Sequence, residues 1–151
     1  MKPKLISFVS ALLLLVFAVY VNAASVRLQW DMNCESNVVK YILYYTTNVL
    51  TTPETEIDRG GTNECGKFYP PSTNIFYGQY STLVEVLGRT NTNCHLSNLV
   101  TDVKYYFTIA AANNSGLQSL RSAEISYIIP KSTNSVATNK VGGLTVISFQ
   151  D

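Results

Sequence analysis

Apolar residues recur at every second position in several short windows of the chain. Val26, Leu28 and Trp30 alternate with Arg27 and Gln29, and Tyr41, Leu43 and Tyr45 alternate with Ile42 and Tyr44. Tyr105, Phe107, Ile109 and Ala111 alternate with Tyr106, Thr108 and Ala110, and Ile125, Tyr127 and Ile129 close the series before Pro130. A two-residue period places one set of side chains on one face of an extended strand. Leu83, Val84, Val86 and Leu87 surround Glu85 in a further, loosely alternating strand, and Cys94, Leu96 and Leu99 lie in another. Beyond the N-terminal segment no window of about 12 residues sustains a 3.6-residue period. Short strands joined by turns rich in Asn, Gly and Ser predict an all-β sandwich.

The first residues follow another pattern. Lys2 and Lys4 precede an almost unbroken apolar run from Phe8 to Val19, and Val21-Asn22-Ala23 supplies small residues at the −3 and −1 positions of a processing site. This predicts a signal peptide over 1–23 and an exported protein, secreted, periplasmic or held at the cell surface. An uncleaved apolar segment of about 17 residues would be the sole route to membrane attachment. Cleavage after Ala23 of the 151-residue chain leaves 128 residues, enough for one domain with a sizeable core. Loss of Lys2 and Lys4 takes the 11 basic groups to 9 against 10 acidic ones. A nearly neutral chain with 14% charged residues and no Lys/Arg cluster has no footprint for nucleic acid. Three cysteines, Cys34, Cys65 and Cys94, fit one disulfide and one leftover thiol in an oxidising compartment. Without CxxC spacing, and with His95 alone, they make a poor zinc site.

The order SVRLQWD, VVKYILYY and CHLSNLVTDVKYYFTIAAANNSGLQSLRSAEISYIIP resembles a fibronectin type III domain of the kind found in exported bacterial proteins. The resemblance covers about 95 residues within 24–130 and implies an immunoglobulin-like β-sandwich. Trp30-Asp31 falls at the end of that family's strand B, and Tyr41 and Leu43 fall on strand C. Leu99-x5-Tyr105-x-Phe107-x-Ile109-x-Ala111-x-Asn113-x2-Gly116 matches the E–F corner, strand F and the F–G turn. The resemblance implies that the Tyr105 hydroxyl bonds back to the corner backbone, its ring packing with Leu99 and Trp30. It leaves Tyr106, Thr108 and Ala110 facing the other way, and it gives Asn113 a turn-stabilising role. Strands B and E are neighbours in this family, so the resemblance implies a Cys34–Cys94 disulfide, with Cys34–Cys65 as the alternative.

The chain departs from the family in three places. Strand A is short or missing, because about four residues separate Ala23 from Leu28. Residues 131–142 read as a flexible linker before Leu144–Phe149, a run of high β-propensity. Two readings stand for that run: a frayed tail, or a strand covering the edge left by strand A, in its own chain or a neighbour. Residues 46–80 form a long insertion after strand C, with Phe68, Tyr69, Phe76, Tyr77 and Tyr80 as a dense aromatic group. These rings are either a satellite core that anchors the loop or a candidate binding surface.

No catalytic constellation is visible. His95 is the sole histidine, GxSxG and phosphate-binding glycine loops do not occur, and Glu54, Glu56, Asp58 and Glu64 read as a solvated charge run. The expectation is therefore a protein with no enzymatic activity, cofactor or metal. Its leading function is an adhesion or interaction module that contacts protein or polysaccharide at a cell surface. The alternatives are an assembly subunit that self-associates through a sheet edge, and a carbohydrate-binding accessory protein using Tyr69, Tyr77 and Tyr80.

Overall fold

Val26, Leu28 and Trp30 are buried while Arg27 and Gln29 are exposed, so the first alternating window folds as strand β1 (Ala23–Trp30). The computed structural model describes residues 23–62, 66, 68–131, 138–141 and 144–149. The expected signal peptide up to residue 22, Cys65 and residues 132–137 lie outside the described residues. After β1 come β2 (Val38–Thr46), β3 (Val49–Asp58), β4 (Gly61–Thr62), β5 (Phe68–Tyr69) and β6 (Ser72–Gly78). β7 (Thr82–Leu87), β8 (Asn93–Val100), β9 (Lys104–Asn113), β10 (Ile125–Ile128), β11 (Thr138–Val141) and β12 (Leu144–Phe149) complete the order.

Two four-stranded antiparallel sheets face each other, β11-β12-β1-β8 and β10-β9-β2-β7. Val26, Leu28, Leu96, Leu99, Leu144 and Val146 from the first sheet meet Tyr41, Leu43, Tyr105, Phe107, Ile109 and Ile125 from the second in one buried cluster. Trp30 packs edge-on to Tyr41 at 5.4 Å between ring centroids, and Phe107 stacks with Tyr105 at 6.1 Å. The Tyr105 hydroxyl accepts the Val100 N–H at 2.9 Å, which ties the corner between β8 and β9. Asp102 occupies this corner with φ +60°, a left-handed conformation that a short acidic side chain tolerates. At the other end of β9, Asn113 Oδ1 accepts the N–H groups of Ser115 and Leu117, both at 3.0 Å, and Gly116 takes φ +79° to close the turn.

The segment after Pro130 enters the sheet. β12 pairs antiparallel with β1 from Ser25↔Phe149 to Trp30↔Leu144, with Leu144 and Val146 fully buried. The last strand thus fills the place of strand A. Its side of β1 needed hydrogen-bond partners, and LTVISF supplies both them and an inward apolar row. The linker expected over 131–142 is corrected at its end, because β11 pairs with β12 from Thr138↔Ile147 to Val141↔Leu144.

The expected Cys34–Cys94 disulfide is overturned. Cys34 and Cys94 are both free thiols. Cys94 pairs across the ladder with Leu28 and packs against the core, whereas Cys34 lies beyond the end of β1 with its carbonyl accepting Arg89 Nη1 at 3.3 Å. Burial raises the pKa of the Cys94 thiol. On β9, Tyr106, Thr108 and Ala110 do face away from the sandwich core, yet they are buried as well as the opposite row. The outer face of the sheet carries a third layer.

Candidate binding surface

That layer is the insertion. Residues 46–80 form a β-hairpin rather than a loop, with β3 antiparallel to β6 and a small β4–β5 ladder beyond its tip. The register pairs Glu54 with Phe76, Thr55 with Ile75, Glu56 with Asn74 and Ile57 with Thr73. Directly paired residues share a face, so Glu54, Glu56, Asn74 and Phe76 form one face and Thr55, Ile57, Thr73 and Ile75 the other. The first face turns toward the sandwich. Phe76 is fully buried, and a Cβ at Gly78 would lie 2.9 Å from Tyr106 Cβ, so glycine alone lets β6 approach this closely.

The β9–β10 connection fastens the hairpin down. The Arg121 guanidinium lies 4.0 Å from the Phe76 ring centroid, and its Nε donates to Glu56 Oε1 at 2.8 Å. Arg121 Nη2 reaches Glu54 Oε2 at 3.2 Å, its backbone N–H donates to Glu56 Oε2 at 3.0 Å, and its carbonyl accepts Asn74 Nδ2 at 3.2 Å. Burial works against the Arg121 charge, but the hydrogen bond and charge of Glu56, then those of Glu54, outweigh it and raise the pKa. Glu124 Oε2 accepts the N–H groups of Tyr77 and Gly78, at 3.0 and 2.8 Å, and the Tyr80 hydroxyl. Burial first, then Glu124, raises the pKa of the Tyr80 phenol well above the ordinary tyrosine range, so it remains a donor.

The five aromatics named from sequence therefore separate. Phe76 and Tyr80 leave the candidate binding surface: they pack edge-on at 6.5 Å within the anchor, with Tyr44 against Tyr80 at 6.3 Å. Tyr77 is 47% exposed and Phe68 67% exposed. Tyr69 pairs with Gly61 through its backbone, and its side chain lies outside the described residues. Ile57, 69% exposed, and Ile75 join Tyr77 on the solvent side. Val49, Ile75, Tyr77, Lys104 and Tyr106 border a groove of about 330 Å³ beside the hairpin.

Sequence reading missed Arg121 and Glu124 entirely, and it treated Glu54 and Glu56 as solvated. One signal was present. In Glu54-Thr55-Glu56-Ile57-Asp58 the carboxylates recur with a two-residue period, as on one strand face. His95 sits exposed on β8 opposite Arg27. Among the described residues no cluster of three or more His, Cys, Asp or Glu side chains is placed to hold a metal ion.

Two facing antiparallel sheets closed by a tyrosine corner define an immunoglobulin-like sandwich module. A family model of the fibronectin type III domain matches residues 14–127, and the chain belongs to that family. Such domains commonly serve as binding or structural modules and are generally non-catalytic. Searches of the curated proteins and of the solved structures found no match.

Proposed function

We propose that this is an exported, non-catalytic binding module that contacts proteins at a cell surface through the solvent side of its β3–β6 hairpin. The observation that carries the reading is the polarity of that hairpin. It exposes Ile57, Ile75 and Tyr77 while turning Glu54 and Glu56 toward Arg121, the reverse of a hairpin built only to be soluble. The anchor beneath it holds these side chains on a rigid base, which lowers the ordering cost of docking. Export is supported by the N-terminal pattern of Lys2, Lys4, the apolar run and Val21-Asn22-Ala23. The carbohydrate reading loses ground because Tyr80 is committed to Glu124. Pairing with a neighbour loses the open edge it required, since β12 already pairs with β1.

The test is a binding screen of the processed protein against surface proteins and polysaccharides, beside the triple variant Ile57→Ser, Ile75→Ser, Tyr77→Ser. These substitutions leave the Arg121 and Glu124 anchors intact. A protein partner bound by the parent and lost in the folded variant supports the reading. Retention on polysaccharide alone, or equal binding by both proteins, overturns it.

A further inference from the structure

With the β1 edge filled by β12, four strands still border the two sheets, and they differ in how they end them. β10 and β11 are each four residues long, and β10 runs on through Ile129 into Pro130. β8 is interrupted at Asn98, which takes φ +59° where its ladder with β1 shifts register. Shortness, proline and a break in the ladder are devices that keep sheet edges from pairing. β7 has none of them. Thr82–Leu87 is six residues of regular ladder without glycine or proline, and its lone charge, Glu85, is held by Lys40 Nζ at 2.6 Å. Leu83 and Leu87 are 56% and 68% exposed.

One bond fixes where the backbone of β7 points. The Gly88 N–H donates to the Val39 carbonyl at 2.7 Å, and this pair continues the register Leu87↔Lys40. Bonded and non-bonded pairs alternate along an antiparallel ladder, so Val86 and Val84 also aim their N–H and C=O groups at β2. Leu83, Glu85 and Leu87 aim theirs at the open side. Asn91 Nδ2 donates to the Leu87 carbonyl there, and among the described residues no other bond to these groups is formed.

Leu83-Val84-Glu85-Val86-Leu87 reads the same in both directions. A second copy related by a two-fold axis at Glu85 therefore meets the strand antiparallel, with Leu83 opposite its Leu87, Val84 opposite its Val86 and Glu85 opposite its Glu85. In that register the outward-aimed residues face each other. The two Glu85 backbones exchange both bonds, and each Leu87 N–H reaches the opposite Leu83 carbonyl. Leucines meet on the outer face, and valines meet along the rim of the core. Two facing carboxylates would repel, but each brings its Lys40, and the quartet is neutral. We propose that β7 is a self-association edge, at which two copies of the chain join their β10-β9-β2-β7 sheets into one continuous sheet.

The test is sedimentation equilibrium of the processed protein in reducing buffer, so that no cysteine link contributes, with isotope-filtered NOE spectra of mixed labelled and unlabelled chains. A reversible dimer is expected below about 0.5 mM, with intermolecular NOEs between Leu83 and Leu87 methyls. Glu85→Pro removes the N–H at the two-fold axis, a group that β2 does not use, and weakens association about tenfold or more. Glu85→Gln keeps that N–H and stays dimeric, which separates the backbone bond from the charge. Melting curves check that each variant folds. Should Glu85→Pro not fold, Leu83→Lys/Leu87→Lys decides instead: both side chains are exposed in the single chain, and lysines there set like charges together across the axis. A monomer at about 0.5 mM overturns the proposal. A dimer undiminished in the folded proline or lysine variant, an equal loss in Glu85→Gln, or a dimer without the Leu83–Leu87 NOEs overturns it as well. A monomer whose β7 amides shift on adding the extended peptide acetyl-Thr-Val-Thr-Val-Thr-amide gives the edge to a foreign strand instead, and likewise overturns it.

Discussion

The Tyr105 hydroxyl and the Val100 N–H form a single bond that fixes how β8 turns into β9. Tyr105→Phe keeps the ring stacked on Phe107 and removes the acceptor, at an expected cost of about 1–2 kcal/mol. A lower urea midpoint with an unchanged m-value is the outcome to look for. Tyr80 offers a pH-dependent counterpart. Its folded pKa is raised, so its bond to Glu124 contributes fully below the unfolded tyrosine value of about 10; as pH rises beyond that the phenol ionises in the unfolded chain while staying protonated in the fold, and the contribution falls. Denaturation midpoints at about pH 8 and pH 11 should converge between wild type and Tyr80→Phe. A constant gap between the two proteins would contradict this account. Neither prediction depends on the identity of a partner.

At the scale of elements, two attachments decide the architecture. The β3–β6 hairpin is held by Arg121 and Glu124, neither of which belongs to it. Arg121→Ala removes the ring contact with Phe76 and leaves Glu56 without its cation. Roughly 1–3 kcal/mol of stability should go with it, and hydrogen exchange should accelerate in β3 and β6 before the core. Equal acceleration throughout both sheets would mean that the hairpin does not open as a separate unit. β12 is the second attachment. Leu144 and Val146 are fully buried, so Val146→Asp places a carboxylate in the core and should cost about 3 kcal/mol or more. Deletion of residues 143–151 should lower the melting temperature and promote association through the bared β1 edge, read by light scattering. An unchanged melting temperature would restore the reading of a frayed tail.

On the scale of the whole molecule, β12 enters from the far end of the chain to pair with β1, and β8 returns to the other side of β1. Such non-local pairing predicts folding in milliseconds to seconds rather than microseconds. Trp30 pairs in register with Leu144, so tryptophan fluorescence reports the docking of β12 while far-ultraviolet dichroism reports both sheets. Coincident thermal transitions by the two probes are expected of one cooperative domain. An earlier fluorescence transition would show that the C-terminal strand departs first.

The sandwich, its family, the β1, β2 and β9 alternations and the corner residues could all be read along the chain. These are local patterns, and a period of two needs no distant information to be read. The segment Leu144–Phe149 was legible as a strand and the edge left by strand A as its candidate place, but frayed tail, own chain and neighbour all stood open. Which of these holds depends on how distant segments meet, and only the assembled sheet shows β12 on β1 of its own chain. For the same reason the alternation of β9 showed that Tyr106, Thr108 and Ala110 face outward but not that they are buried. Their row faces away from the sandwich core, and its burial comes from segments distant in the chain: Gly78 of the hairpin lies against Tyr106, and Ser122 of the β9–β10 connection bonds Thr108. Phe76 and Tyr77 are neighbours of similar character in sequence, and strand parity sends one inward and the other to solvent. The meeting of Arg121 with Glu54 and Glu56 joins side chains far apart along the chain. Propensity and periodicity act over a few residues, whereas charge and burial act across space, and the tertiary structure alone brings these groups into reach of one another.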